Sequence, residues 1–225
     1  MEKKMGFDLN PLQKIILKII GDSPLSAKFY WTGGTPLAYF YLKHRRSFDL
    51  DFFSDKEFTY QEILPTIQKI AKKLNLKRLE EKRVFDRWEF FLYNKEKIRI
   101  EFAYYEFANL KPWKKWQKIY VDSFDDMAAN KTMALIDRHE PKDVFDVYFL
   151  IKKKGILPER LLKLVKKKFK IDFPLSLFLS QTLVAAQQLP KIKPLLVDRQ
   201  QNIFKEIINY FEEKSAKFIK NSLNL

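Results

Sequence analysis

The sequence predicts an α/β half followed by an all-helical half, and three observations carry that expectation. Up to Tyr105, short aromatic and β-branched runs alternate with helical stripes. Beyond it, apolar residues recur at helical spacing as far as residue 221. Between the halves lies an aromatic, basic stretch, Asn109 to Lys118, that resembles neither. The expected domains are therefore 1–105 and 106–225, with 109–118 as connector. No repeats and no low-complexity tails interrupt this plan.

The elements follow in order. Asn10-Pro11 reads as a helix cap followed by proline in the first turn, and Leu12, Ile15, Ile16, Ile19 and Ile20 form the stripe behind it. Ala27 to Trp31 is a short aromatic strand that ends at Gly33-Gly34. Thr35-Pro36 is a second cap-plus-proline pair, opening a helix to about Lys43. Phe48 to Phe53 is a strand, and Thr59 to about Leu74 a helix with Pro65 inside it. Three β-type runs occupy 76–85, 87–93 and 97–103, the last two joined by a turn at Asn94-Lys95. Ser123 caps a helix through Arg138, Pro141 opens another that runs to Gly155, and further helices fit 158–169, 174–188 and 198–221.

Composition narrows the chemistry. The 225 residues hold no cysteine and only His44 and His139, which excludes disulfides, thiolate catalysis, Cys-based zinc and His-rich metal sites. No apolar run reaches the roughly 18–20 residues of a membrane span, and the N-terminal MEKKMGFDLNPLQ lacks the apolar core of a secretory signal. A cytoplasmic protein is expected. The formal net charge of +15 favours a polyanionic partner, or else reflects a lysine-rich surface. Segment 152–170 carries nine basic residues against Glu159 alone.

Several residues are candidates for chemistry. Asp49 and Asp51 alternate with Leu50 and Phe52 on a strand, so both carboxylates share one face while the apolar pair points to the core. Paired carboxylates repel unless a cation separates them, and a hard oxygen site suits Mg²⁺; a solvated strand face reads the same way. Gly33-Gly34 pairs two of only five glycines between a strand and a helix start, where bare backbone can approach a phosphate or simply turn tightly. In Lys97 to Phe102, Ile98, Ile100 and Phe102 take the buried face and leave Glu101 beside Arg99 on the other. Lys131 and Arg138, seven apart, share a helix face, and Asp143 and Asp146 share one on the next helix. Trp113-Lys114-Lys115-Trp116 interleaves aromatics with charge, as a single-stranded RNA platform or as an anchor of the connector. His44, Arg45 and Arg46 precede the Asp49 strand and read as phosphate contacts or as a solvated helix end.

Taken together, Trp31-Thr32-Gly33-Gly34-Thr35, thirteen residues, then Asp49-Leu50-Asp51-Phe52-Phe53-Ser54 resembles the hG[GS]…DhD signature of the DNA polymerase β-like nucleotidyltransferase superfamily. More narrowly, GGTPLAYFYLKHRRSFDLDFFS is similar to the AbiEii/AbiGii group of type IV toxin–antitoxin and abortive-infection toxins. The block from Met127 through Lys131 and Arg138 to Pro141, Asp143, Asp146 and Leu150 resembles that group's A-x-x-K…AL…R…KDxxDLYxL pattern. The likeness spans roughly 30–150, and one departure is the third carboxylate, often Asp in the superfamily and here Glu101.

The resemblance implies an α/β (α+β) nucleotidyltransferase core with a mixed sheet, followed by an all-helical C-terminal domain that completes the active-site cleft. It implies transfer of a nucleoside monophosphate from an NTP to an acceptor, with release of pyrophosphate. The acceptor is expected to be tRNA-like RNA; protein Ser, Thr or Tyr, or a non-catalytic RNA- or partner-binding module on the same fold, are the alternatives. By resemblance, Asp49, Asp51 and Glu101 bind Mg²⁺, two ions. Gly33, Gly34, Thr35, Lys131, Arg138 and Asp143 bind the nucleotide, and Asp49, Asp51, Lys131 and Asp146 are catalytic. A separate antitoxin protein is the expected partner.

Overall fold

The computed structural model describes residues 7–94, 96–197 and 202–223. Lys95 of the expected hairpin turn, residues 1–6 and the expected helix start at 198–201 lie outside the described residues. The chain divides into two compact units. One holds the chain up to Tyr41 together with Ser47–Phe124; the other holds Leu42–Arg46 and the chain from Asp125.

The first unit is a seven-stranded mixed sheet with helices. Its helices are α1 (Pro11–Gly21), the short α2 (Gly34–Pro36), which continues as a π-helical stretch over Leu37–Leu42, and α3 (Tyr60–Leu74). Its strands are β1 (Tyr30–Thr32), β2 (Leu50–Ser54), β3 (Arg78–Val84), β4 (Arg87–Tyr93), β5 (Lys97–Tyr104), β6 (Lys114–Trp116) and β7 (Ile119–Val121). The order is β3-β4-β5-β2-β1-β7-β6, with β2–β5 and β1–β7 parallel and the remaining pairs antiparallel. Both long helices begin as their sequences require. Asn10 and Gln13 close a reciprocal capping box on α1, Thr59 and Glu62 do the same on α3, and Pro65 sits inside α3. The alternation expected of β2 holds: Leu50 and Phe52 are fully buried, and their opposite-facing neighbours are not.

The division between units falls at Phe124, beyond the expected boundary at Tyr105, because the stretch read as a connector contains β6 and leads into β7, which extend the sheet. Trp113 stacks on Tyr30 at 4.7 Å and Trp116 packs against Trp31 and Phe40 at 5.6 Å, so both tryptophans are anchored within the first unit.

The second unit is helical: α4 (Phe124–Arg138), α5 (Pro141–Lys154), α6 (Pro158–Phe169), α7 (Leu175–Ala186) and α8 (Ile203–Ser222). Gly155 ends α5 in the left-handed conformation at φ 65°, as its glycine predicts. Phe145, Phe178 and Phe211 are fully buried on α5, α7 and α8. The basic run on α6 is not uniformly a solvated face. Lys168 is buried and donates to Asp126 at 2.7 Å, while Lys166 pairs with Asp172 in solvent.

That asymmetry is measurable. Lys168→Ala leaves the Asp126 charge buried and should cost about 3–5 kcal/mol in urea unfolding, whereas the exposed Lys167→Ala should stay within about 0.5 kcal/mol of wild type.

Candidate active site

In the first unit the site grows from the loop that enters β2. Gln13, buried in the first turn of α1, donates from Nε2 to the carbonyls of Ser47 and Phe48 at 3.0 and 3.1 Å. Thr35, at the start of α2, donates its hydroxyl to the Asp49 carbonyl at 2.5 Å. The backbone over 47–49 is thus fixed by two helix starts, and Asp49 emerges just ahead of β2 with Asp51 two residues on.

Register then gathers the other acids. Parallel pairing sets Asp51 beside Glu101, and the antiparallel β4–β5 pairing sets Glu89 beside Glu101. Arg99, two residues ahead of Glu101 on the same face, is the centre of the group. Its Nη2 lies 2.9 Å from Asp51 and 3.4 Å from Asp49; its Nη1 lies 3.0 Å from Glu89 and also donates to Glu101. Burial works against the Arg99 charge, but Asp51, Glu101 and Asp49 overcome it and hold the guanidinium firmly protonated. Glu101 is pushed up to about 7 by burial and by the Asp51 charge, against the pull of Arg99 and Arg87. Gly33 belongs to the same site. Its φ is +85°, and a Cβ built there would stand 2.2 Å from Asp51 Oδ2, so only glycine lets this backbone lie against that carboxylate.

Four carboxylates around one guanidinium leave an excess of negative charge carried by hard oxygens, the donor chemistry of a divalent cation. Among the described residues, no group of three or more acidic or histidine side chains stands ready to hold an ion by itself. Asp49, Asp51 and Glu101 have the oxygen donors such an ion takes, and in this arrangement they converge on a single cationic group, Arg99.

The second unit carries a complementary group of cations. Asp146, fully buried, accepts from Arg45 Nε at 2.6 Å and Nη2 at 2.8 Å, and lies 2.6 Å from His44 Nε2 and 3.0 Å from Lys131 Nζ. Asp143, also buried, accepts from Lys131 at 2.9 Å and Arg138 at 2.7 Å. Burial alone raises both carboxyls. For Asp146 the Arg45 and Lys131 charges and the His44 hydrogen bond win, holding it well below the usual carboxylate range; for Asp143, Lys131 and Arg138 do so. Burial lowers His44 and outweighs Asp146, so the ring is neutral at pH 7 and donates its Nε2 proton. Lys131 is raised by Asp143 and Asp146 against its burial. Two carboxylates face three permanent cations, so this group is net positive.

The expected site residues thus fall into two groups: Gly33, Gly34, Thr35, Asp49, Asp51 and Glu101 in the first unit, and Lys131, Arg138, Asp143 and Asp146 in the second. Two partners carry no sequence signal of their own: Arg99 stands out only as the neighbour of Glu101, and Glu89 depends on the β4–β5 register. His44 and Arg45, with a solvated helix end as one expectation, are instead buried and turn inward to Asp146.

A mixed sheet with one acid just ahead of β2 and a second on it, a third on the parallel neighbour β5 and a Gly-Gly turn alongside defines a nucleotidyltransferase-type fold. A crystal structure of JHP933 from Helicobacter pylori superposes with TM-score 0.60 at 18% identity, over 96% of this chain and 98% of that one. MenT4, the nucleotidyltransferase toxin Rv2826c from Mycobacterium tuberculosis H37Rv, does so with TM-score 0.54 at 14% identity, over 88% and 80%. By sequence, the uncharacterized protein aq_aa25 of Aquifex aeolicus (strain VF5) is 30% identical over 195 residues, 84% of each chain. Residues 15–218 match the family described as "Nucleotidyl transferase AbiEii toxin, Type IV TA system". The chain belongs to that family and is a toxin nucleotidyltransferase.

Two outcomes test this geometry. Gly33→Ala must relieve both its backbone strain and its clash with Asp51; it should lower stability by about 1–3 kcal/mol, read by thermal melting in chelator. Because the folded protein holds the Glu101 proton up to about pH 7 and the unfolded chain only to about 4.5, this residue's contribution to stability falls as pH rises through that window. Glu101→Gln should therefore gain about 1–3 kcal/mol over wild type at pH 8 and little at pH 4.5, in urea titrations at both values.

Proposed function

We propose that the protein moves a nucleoside monophosphate from an NTP to an RNA acceptor, tRNA-like, as the toxin of a type IV toxin–antitoxin pair whose antitoxin is a separate protein, in the cytoplasm. The observation that carries the reading is the convergence of Asp49, Asp51 and Glu101 on one face against the Gly33 backbone. Among the described residues no helix is long and apolar enough to cross a membrane.

Asp49, Asp51 and Glu101 hold the divalent cations (Mg²⁺, two ions), which supply charge neutralisation along the triphosphate and a lowered pKa for the attacking hydroxyl. Gly33 and Gly34 offer backbone N–H groups to the phosphates, and Thr35 keeps the Asp49 backbone in place through its hydroxyl. A carboxylate of the Asp49–Asp51 pair accepts the acceptor's proton. To Lys131 and Arg138 we assign the neutralisation of phosphate charge as pyrophosphate departs. Asp143 and Asp146 keep those cations charged and in fixed directions, the second through Lys131.

The deciding assay offers the protein each labelled NTP with Mg²⁺ and total RNA. Label should enter RNA; label entering protein instead would move the acceptor to a Ser, Thr or Tyr hydroxyl. Asp49→Asn should reduce transfer by at least about a hundredfold while leaving the melting temperature close to wild type, since it removes charge without changing size. Lys131→Ala should weaken transfer on a similar scale, and Lys131→Arg should restore only part of it, a planar fork replacing a compact charge. Full activity of either Asp49→Asn or Lys131→Ala would remove that residue from the chemistry.

A further inference from the structure

The first unit contains a cleft that the reaction above does not use. It measures about 630 Å³, the size range of a small-ligand site, and is lined by residues of α1, of the π-helical stretch after α2 and of the β6–β7 hairpin. Two aromatic rings stand in it. Tyr39 and Trp116 meet edge to face at 6.0 Å, and Trp116 is backed by Trp31 and Phe40 at 5.6 Å, so its plane is set before anything binds. Gln117, in the left-handed region at φ 52°, turns the chain tightly from β6 into β7 and brings Lys118 next to Trp116.

Three of the other lining side chains, Lys14, Lys18 and Lys118, are cationic, against a single acid. Lys14 and Lys18 lie one turn apart on the same face of α1, a like-charged spacing that costs stability. Neither makes an ion pair among the described residues, and the one acid in the cleft, Asp22, is already paired with Lys118 at 2.6 Å. Flat, pre-set rings beside unneutralised lysines complement a ligand that alternates π-faces with anions, which is what an unpaired RNA strand presents. The cleft also adjoins the chemistry along the chain: Trp31, which backs Trp116, stands two residues before Gly33, and Tyr39 lies on the helix that Gly34 starts.

We infer that this cleft binds a nucleotide of single-stranded RNA, its base against Tyr39 and Trp116 and its phosphates against Lys14 and Lys18, as a docking subsite for the acceptor distinct from the NTP site. Its use during transfer rests on the RNA-acceptor reading; its binding of RNA does not.

The experiment measures binding of a fluorescently labelled, unstructured oligoribonucleotide to the full chain at several salt concentrations. Lys14→Gln combined with Lys18→Gln should weaken binding about tenfold and flatten the salt dependence by about 1.4 in slope, two phosphate contacts at about 0.7 each. Tyr39→Leu should weaken it about tenfold with the slope unchanged, because stacking carries no counterion release. Lys163→Gln combined with Lys167→Gln is the control: it removes the same charge at the same spacing from exposed positions on α6. Affinity for NTP should stay at the wild-type value in all three.

Wild-type affinity in the Lys14/Lys18 double variant, or an equal loss in the α6 control, would overturn the proposal, the second by showing a response to net charge alone. So would an unchanged oligoribonucleotide affinity together with lost binding of poly-glutamate, which would give the cleft to an acidic protein. The two readings fail separately. A chain that binds the oligoribonucleotide through Lys14, Lys18 and Tyr39 yet transfers nothing to RNA keeps the cleft and loses the acceptor. A chain that transfers to RNA with these variants unimpaired in binding keeps the acceptor and loses the cleft.

Discussion

A carboxylate stripped of water is costly unless cations surround it, and Asp146 is fully stripped. Its requirement organises much of the second unit. Arg45 reaches it through two nitrogens, His44 through Nε2 and Lys131 through Nζ, so the path of 42–46 and the facing sides of α4 and α5 are set by one side chain. Lys131 in turn is shared with Asp143, which draws in Arg138 from the end of α4. Remove the first acid and three donors lose their common acceptor. Such a network defines directions for its members that packing of apolar side chains alone does not.

The acidic face of the first unit reverses this arrangement. There a single guanidinium serves Asp49, Asp51, Glu89 and Glu101, and the imbalance is negative. The two groups respond to pH in opposite senses. Glu101, raised to about 7, makes the first unit more stable as protons are added through that window. His44, Asp143 and Asp146, all lowered, make the second unit less stable as pH falls, first below the ordinary histidine range and then through the carboxylate range. The chain thus keeps an excess of oxygens in one unit and an excess of cations in the other.

Much of this was legible in the sequence because it is local. The alternation around Leu50 and Phe52 fixes which way Asp49 and Asp51 point, and the seven-residue spacing of Lys131 and Arg138 puts them on one helix face. What was hidden depends on pairing between distant segments. Glu89 joins the acids only through the β4–β5 register, and three-residue strands such as β6 and β7 are too short to show an alternation, so 109–118 read as a linker. Lys168 is a different case. It follows Leu161, Leu162 and Val165 at helical spacing and precedes Phe169, so the stripe itself marked the position as interior; the surrounding lysines masked it.

The chain enters the second unit at Leu42, leaves it at Arg46 and returns only at Asp125. The units are therefore interleaved in sequence, and no single cut yields two complete pieces. A fragment ending near Phe124 would carry His44 and Arg45 away from Asp146, and one beginning at Asp125 would bury that acid with Lys131 alone among its partners. For dissection, co-expression of overlapping fragments suits this architecture better than truncation. For inheritance, it means that neither unit can be exchanged for a homologous one by a single crossover without taking its five-residue loop from the middle of the other.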